Sequence, residues 1–214
     1  HQHQGRVDVF TPIVKGWLTE LAQEVTSLGV QIHGGMGFIE ETGAAQHYRD
    51  ARILTIYEGT TGIQALDLVG RKTLLNQGAL LNSLLEEMDQ TVEQLRHIDA
   101  LDYQAVALAA ALGAGREALS LLLDNAKRDA DWAGSVSVNF LMLVGYLSGG
   151  WLMARSAVQA HAQLEAGTGD AEFLKAKGVS ARFYAEQLLP RVHALLAAVS
   201  AGSASIMALD DEQF

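Results

Sequence analysis

Apolar residues spaced three and four positions apart run through most of this 214-residue chain, and this spacing constrains its fold more than any other feature. The clearest run is Leu81, Leu85, Met88, Val92 and Leu95. Such a run places one apolar stripe along one face of a helix. The chain contains only two prolines, and no segment requires a β-strand. The sequence therefore predicts an all-α fold.

The helical pattern changes character after Lys72. Residues 1–72 combine short helical periods with glycine turns, whereas residues 73–214 contain long, regular periods. We divide the chain into two domains at this change, 1–72 and 73–214. The second part predicts four long helices joined by short links, which is the pattern of an up-and-down four-helix bundle. The last of these helices contains Pro190, where we expect a kink.

Three sites in the first part carry signals for helix ends. Thr11-Pro12 predicts a helix start, since Thr caps free N–H groups and Pro suits the first turn. Gly34-Gly35 predicts the end of that helix, because glycine tolerates positive φ. Thr60 or Thr61 is expected to cap a later helix that carries Ile63 and Leu66.

Charge and composition exclude several classes of function. The net charge is −10, and no basic stripe is present, so we expect no nucleic-acid partner. The absence of cysteine excludes disulfides and thiolate chemistry, and we expect a cytoplasmic location. His33 and His47 do not have the spacing of a compact ligand set, so no metal site is predicted. The chain begins with His1 rather than Met, and we expect it to be a piece of a longer protein.

One long uncharged segment calls for a membrane test. No charged residue lies between Asp131 and Arg155, and this length approaches that of a spanning helix. Polar and small residues such as Asn139 and Ser148 lower the hydrophobicity of this segment. We expect a helix buried in a bundle or a subunit contact, and no stable membrane insertion; membrane contact is the alternative.

Two short motifs could carry chemistry. Glu58 lies directly before a predicted helix, where its carboxylate could simply interact with the helix dipole or could act as a general base. Gln31-Ile32-His33-Gly34-Gly35 could be a plain turn or could let a pyrophosphate approach the backbone. The second motif is not a dinucleotide-binding fingerprint, because no strand precedes it and the G-x-G-x-x-G spacing is absent.

These motifs together resemble a known family. Gln31 to Gly35, the Tyr57-Glu58-Gly59-Thr60 signature and the run Ile63 to Lys72 are similar to the C-terminal helical domain of the flavin-dependent acyl-CoA dehydrogenases. The resemblance is strongest over Thr11 to Lys72. The amino-acid sequence from Ile39 to His47 is similar to that of the subgroup that includes 3-methylmercaptopropionyl-CoA dehydrogenases. Residues 73–214 would match the extra C-terminal helical domain of the larger members.

The resemblance implies a role for each motif. By it, Glu58 is the catalytic base, which takes a proton from the carbon α to the thioester while a hydride leaves the β carbon for FAD, giving the 2,3-enoyl-CoA. Gly59 would lie beside the bound acyl-CoA, and Thr60 and Gly62 beside the flavin nucleotide. The remaining expected FAD contacts, typically made across a subunit interface, are Gln31, Ile32, His33, Gly34 and Gly35.

The resemblance also implies binding partners, and it implies that some domains of the family are absent from these residues. We expect a homo-oligomer with an electron-transferring flavoprotein as acceptor. The family's N-terminal helical domain, middle β domain and earlier bundle helices are absent from these 214 residues, so we expect the piece alone to be inactive and to bind FAD weakly or not at all. The competing hypothesis is a non-catalytic helical interaction module.

Overall fold

The computed structural model describes residues 2–213 and is built from helices. His1 and Phe214, the outermost residues of the two predicted domains, lie outside the described residues. No β-strand occurs between residues 2 and 213, so the all-α prediction is confirmed for this range. The α-helices of this range are α1 Gln2–Ile32, α2 Gly35–Phe38, α3 Ala44–Ile53, α4 Thr61–Gly70, α5 Ala79–Arg96, α6 Asp102–Asn125, α7 Trp132–Glu165, α8 Ala171–Phe183 and α9 Arg191–Ala201.

Helix α1 runs straight through the predicted start at Thr11-Pro12, so that prediction was wrong. The hydroxyl of Thr11 donates to the carbonyl oxygen of Val7 at 2.8 Å instead of capping a helix. Val9 and Ile13, on either side of Pro12, are buried at 2% and 1% exposure. Tertiary packing of this apolar face outweighs the hydrogen bond that proline removes.

Helix α7 is the centre of the structure and packs against α1, α4, α6, α8 and α9. The segments Asp99–Asn125 and Trp132–Glu165 are long and apolar enough to cross a bilayer, with mean hydropathy of 1.6 and 1.4. In the fold, 44% and 72% of these windows are buried. The burial of α7 accounts for the lack of charged residues between Asp131 and Arg155 and agrees with the prediction of a buried bundle helix.

Glycines on α7 allow neighbouring aromatic rings to approach its backbone. A Cβ on Gly145 would lie 2.3 Å from Cγ of Trp17, and one on Gly149 would lie 2.3 Å from the hydroxyl of Tyr184. The Trp17 ring also packs edge-on against Tyr146, with centroids 5.6 Å apart. The two predicted domains therefore share one continuous core, and the boundary at Lys72 stays a prediction.

The fourth helix of the predicted bundle is interrupted near Pro190. A π-helical turn, Tyr184–Leu188, follows α8, and Pro190 directly precedes α9. The predicted kink is thus a break between two helices. Helices α5, α6, α7 and the α8–α9 pair pack on one another as the four members of the bundle.

Candidate functional site

Residues 54–60 form a loop between α3 and α4, which we call the base loop because it carries Glu58. Glu58 has a φ of +54°, and Gly59 follows with a φ of +92°. The left-handed conformation is ordinary for glycine but costs a residue with a side chain about 1–2 kcal/mol. Backbone strain of this kind concentrates at functional sites, where the surrounding structure holds it in place.

Lys15 of α1 and Thr61 of α4 hold the start of the base loop. The ammonium group of Lys15 donates to the carbonyl oxygen of Leu54 and lies 5.3 Å from the centroid of the Tyr57 ring. The backbone N–H of Thr61 donates to the carbonyl oxygen of Thr55 at 3.3 Å. The loop is therefore closed on itself and pinned to α1.

Glu20 and Gln64 hold the other end of the base loop. The hydroxyl of Thr61 donates to Oε1 of Glu20 at 2.6 Å. The side-chain amide of Gln64 reaches the carbonyl oxygen of Glu58 at 3.4 Å, and a Cβ on Gly59 would lie 2.7 Å from its Nε2. A Cβ at position 59 would only push aside the flexible end of the Gln64 side chain, so the positive φ is the main reason for glycine at this position.

Sequence reasoning missed the supporting role of Lys15 and Glu20. Both stand on α1, and their partners in the base loop and α4 lie 39 and 41 positions further along the chain. No local pattern signals a contact over that separation. Gln64, in contrast, lies only six positions after Glu58, and its side-chain amide contacts the Glu58 carbonyl oxygen.

The carboxylate of Glu58 is free to meet a ligand. The residue is exposed, and among the described residues it makes no ion pair. The contacts of the loop fix the backbone of Glu58, while its carboxylate has no ion-pair partner among the described residues. A carboxylate presented in this way can accept a proton from a bound substrate.

The N-terminus of α4 lies directly beyond Glu58. Thr60 caps this helix, accepting a hydrogen bond from the N–H of Ile63 at 3.3 Å, which confirms the predicted cap and selects Thr60 over Thr61. A Cβ on Gly62 would approach only the Thr60 hydroxyl, at 3.9 Å. This helix end is therefore accessible, and its partial positive charge favours an anionic group.

Gln31, Ile32, His33, Gly34 and Gly35 form the end of α1 and the turn after it, which we call the hinge. Gly34 has a φ of +61° and ends α1, as predicted. All five residues are exposed, and a Cβ on Gly34 or Gly35 would meet nothing within 4 Å. Nδ1 of His33 lies 2.8 Å from the carbonyl oxygen of Gly29. The hinge thus presents open backbone that a ligand can approach.

The base loop and the hinge lie at different places along α1. Thr61 is bonded to Glu20, whereas the hinge begins at Gln31. Fourteen residues separate Glu20 from Gly34, which corresponds to about 20 Å along a helix at 1.5 Å per residue. The structure brings Glu58, Gly59, Thr60 and Gly62 together and leaves the hinge apart from them.

Comparison with known proteins places this geometry in a family. The chain matches the family described as "Acetyl-CoA dehydrogenase C-terminal like" over residues 84–210 and the one described as "Acyl-CoA dehydrogenase, C-terminal domain" over residues 1–74. The first match alone covers more than half of the chain. The chain belongs to the acyl-CoA dehydrogenase family.

Two relatives illustrate the similarity within the acyl-CoA dehydrogenase family. The chain is 51% identical to 3-methylmercaptopropionyl-CoA dehydrogenase of Ruegeria pomeroyi, over 87% of this chain and 32% of the relative. It is 35% identical to a broad-specificity linear acyl-CoA dehydrogenase of Mycobacterium tuberculosis, over 97% of this chain and 35% of the relative. The chain thus spans about a third of the length of these relatives.

A solved structure supports the same fold. The crystal structure of an acyl-CoA dehydrogenase complexed with FAD from Bacillus anthracis matches 89% of this chain and 33% of that chain, with a TM-score of 0.66 and 23% identity. The arrangement of helices is therefore one that the acyl-CoA dehydrogenase family uses.

In this family member, a polar cluster ties α1 to residues 73–214, which we call the C-terminal extension. Arg191 of α9 makes two hydrogen bonds to the Glu24 carboxylate, at 2.6 and 2.7 Å, and a third to the hydroxyl of Tyr146 at 2.7 Å. The bonds from Arg191 hold the pKa of Glu24 below its ordinary value. Burial raises the pKa of Tyr184, whose phenol donates to the carbonyl oxygen of Tyr146 at 3.0 Å. The helix that supports the base loop is thereby anchored to the bundle.

Proposed function

We propose that this chain forms the part of a flavin-dependent acyl-CoA dehydrogenase that carries the catalytic base and part of the FAD site. The enzyme would oxidise an acyl-CoA to the 2,3-enoyl-CoA. The observation that carries the proposal is Glu58: its backbone has a φ of +54°, its loop is braced by α1 and α4, and its carboxylate is exposed and unpaired among the described residues. Family membership supplies the reaction class.

In this proposal Glu58 removes the proton from the carbon α to the thioester carbonyl. The α C–H bond breaks, its proton goes to the Glu58 carboxylate, and its electron pair forms the new Cα=Cβ bond as the β hydrogen leaves with two electrons. FAD, when bound, would supply the acceptor for that hydride. Gly59 would lie beside the bound acyl-CoA, next to the base.

The residues present fit the FAD that the family implies. Thr60 and Gly62 would hold it at the N-terminus of α4, where backbone N–H groups and the helix dipole favour a nucleotide's negative charge. Gln31, Ile32, His33, Gly34 and Gly35 would contact it at the hinge, whose backbone is open. Because the two places are about 20 Å apart along α1, we propose that the hinge serves the FAD of a neighbouring subunit.

An exposed apolar stripe on α1 supports a larger assembly. Its six members are spaced three, four or seven positions apart, which places them on one face of the helix. They are Val7, Val14, Leu18, Val25, Leu28 and Ile32, with exposures between 42% and 83%. A contiguous exposed apolar stripe on a protein surface marks an interaction site. We propose that the rest of a longer chain or another subunit of a homo-oligomer covers it.

The remaining elements of the proposal rest on the family. The 51% identity to the Ruegeria pomeroyi enzyme makes 3-methylmercaptopropionyl-CoA the first acyl-CoA to test, with linear acyl-CoAs beside it. An electron-transferring flavoprotein is the proposed acceptor, and the cytoplasm the proposed location.

The replacement Glu58→Gln in the intact enzyme tests the role of the base. It keeps the size of the side chain and removes its ability to take a proton, so we expect kcat to fall by several orders of magnitude with KM and FAD content unchanged. Glu86→Gln, at an exposed position of α5, is the matched control and should keep full activity. An active Glu58→Gln enzyme would instead favour the non-catalytic interaction module.

A further inference from the structure

A groove of about 700 Å³ lies between α5, α7 and α8. We call it the α5–α7–α8 groove; Trp151, Arg155, Phe173 and Lys177 are among the residues that line it. None of its lining residues belongs to the base loop or to the hinge. Its volume is that of sites that bind small molecules.

Two cations face this groove. The guanidinium of Arg155 lies 5.0 Å from the centroid of the Trp151 ring, and the ammonium of Lys177 lies 5.4 Å from that of Phe173. Among residues 3–213, neither cation makes an ion pair. Each is held over an aromatic ring and keeps its charge available.

The unpaired state of these cations contrasts with their surroundings. On the same helix as Lys177, Lys175 pairs with Glu172 at 2.9 Å, and Arg182 pairs with Glu186 at 2.7 Å. The chain as a whole has a net charge of −10. Two free positive charges in one groove of an acidic protein create a local site that attracts anions.

The one carboxylate among the lining residues is already neutralised. Glu87 lines the groove, and its carboxylate is paired with Arg6 of α1. The charge that the groove offers to a ligand therefore comes from Arg155 and Lys177.

Amide side chains add hydrogen-bonding capacity to the charge. Each glutamine offers two donors and one acceptor oxygen, and four of them line the groove: Gln90, Gln94, Gln159 and Gln163. The floor is rigid, because Trp151 is only 2% exposed and its Nε1 donates to the hydroxyl of Thr91 at 2.8 Å. A fixed floor lowers the entropic cost of binding a ligand.

We propose that the α5–α7–α8 groove binds a phosphorylated small molecule. Its phosphate oxygens contact Arg155 and Lys177, since guanidinium groups match the geometry of phosphate and ammonium groups supply a point charge. Its other polar groups hydrogen-bond to the glutamines. The site is separate from the proposed oxidation chemistry and does not depend on it.

Isothermal titration of the intact, FAD-loaded protein tests this site, with adenosine diphosphate as the probe. We expect binding that weakens as the salt concentration rises, because it rests on charges. Pyrophosphate shows whether the phosphate moiety suffices, and uncharged adenosine should not bind. Absence of binding by both phosphate probes, or equal binding of adenosine, overturns the proposal.

Variants locate the binding. Arg155→Gln and Lys177→Gln should each weaken adenosine diphosphate or pyrophosphate at least about tenfold, and both side chains are exposed, so the fold should persist. Lys175→Gln, which removes the same charge from the same helix outside this groove, should leave the affinity unchanged. Equal affinity in all three variants and the unmodified protein places the probe elsewhere and refutes the inference.

Discussion

Arg191 and Glu24, separated by 167 positions in the chain, form a two-pronged ion pair with N–O distances of 2.6 and 2.7 Å. The pair joins the last long helix of the extension, α9, to α1, which supports the base loop. Arg191 also bonds to Tyr146 of the central helix. The extension is therefore tied to the helix that supports the base loop, and we expect its loss to disturb that loop.

The replacement Glu24→Gln tests this pair and its dependence on pH. Since the side chains are 38% and 39% exposed, solvent screens the interaction, and we expect a loss of about 1 kcal/mol or less in the free energy of unfolding at neutral pH. The pKa of Glu24 is lowered in the folded state. Its contribution is therefore present above the unfolded-state value of about 4.3 and is lost as the pH falls through the folded-state value.

Urea denaturation of both proteins from neutral to acidic pH measures this difference. The stability gap between unmodified protein and variant should shrink as the pH falls below the unfolded-state value of about 4.3. Glu86→Gln should show no gap at any pH. A gap for Glu24→Gln that stays constant on acidification would show that the carboxylate charge is not responsible.

Because the backbone at Glu58 is strained, we predict that relieving this strain raises the stability of the protein at the expense of its activity. Glycine adopts positive φ without penalty, so Glu58→Gly should raise the free energy of unfolding by up to about 1 kcal/mol while abolishing activity in the intact enzyme. Gln77, with a φ of +55°, is a matched control: Gln77→Gly should give a similar gain and keep activity. Thermal unfolding and turnover measure the two effects. A loss of stability in Glu58→Gly would mean that the side chain itself stabilises the loop.

Lys15 is predicted to position the base loop without touching substrate. Lys15→Met keeps the length of the side chain but removes the hydrogen bond to Leu54, so kcat in the intact enzyme should fall about tenfold because the base is misplaced. FAD content and KM should change little. Lys127→Met, at an exposed position, serves as the control for loss of a positive charge. Unchanged kcat in Lys15→Met would show that the loop holds its shape unaided.

Two glycines within helices should respond in opposite directions to the same replacement. A Cβ at Gly149 would lie 2.3 Å from the Tyr184 hydroxyl, whereas one at Gly113 would meet nothing within 4 Å. Gly149→Ala should therefore destabilise the protein by about 1–3 kcal/mol. Gly113→Ala should stabilise it by up to about 1 kcal/mol. Denaturation midpoints decide this, and a stabilised Gly149→Ala protein would contradict the close packing of α7.

Local sequence signals located several elements well. Gly34 ends α1 because its φ of +61° is open to glycine, and Thr60 caps α4 because its hydroxyl accepts a nearby N–H. The sequence also predicts the apolar period of α5 and the burial of the uncharged part of α7 before Arg155. In each case the deciding interactions lie within a few residues of one another.

The prediction at Thr11-Pro12 failed for the opposite reason. Proline costs an internal hydrogen bond wherever it occurs, but the outcome depends on what the flanking residues bury. Val9 and Ile13 lie in the core, and that burial is not visible from the sequence around Pro12.

Taken alone, the sequence determined that this protein is helical, where the glycine turns and one helix cap fall, and which residues resemble a base and a flavin site, because each of these depends on neighbours in the chain. Only the tertiary structure decided that α1 continues through Pro12 and that Lys15 and Glu20 brace the base loop. It also decided that the base loop and the hinge lie apart, and that Arg191 ties the extension to α1. Those features arise from contacts between residues dozens of positions apart, which form only when whole helices pack.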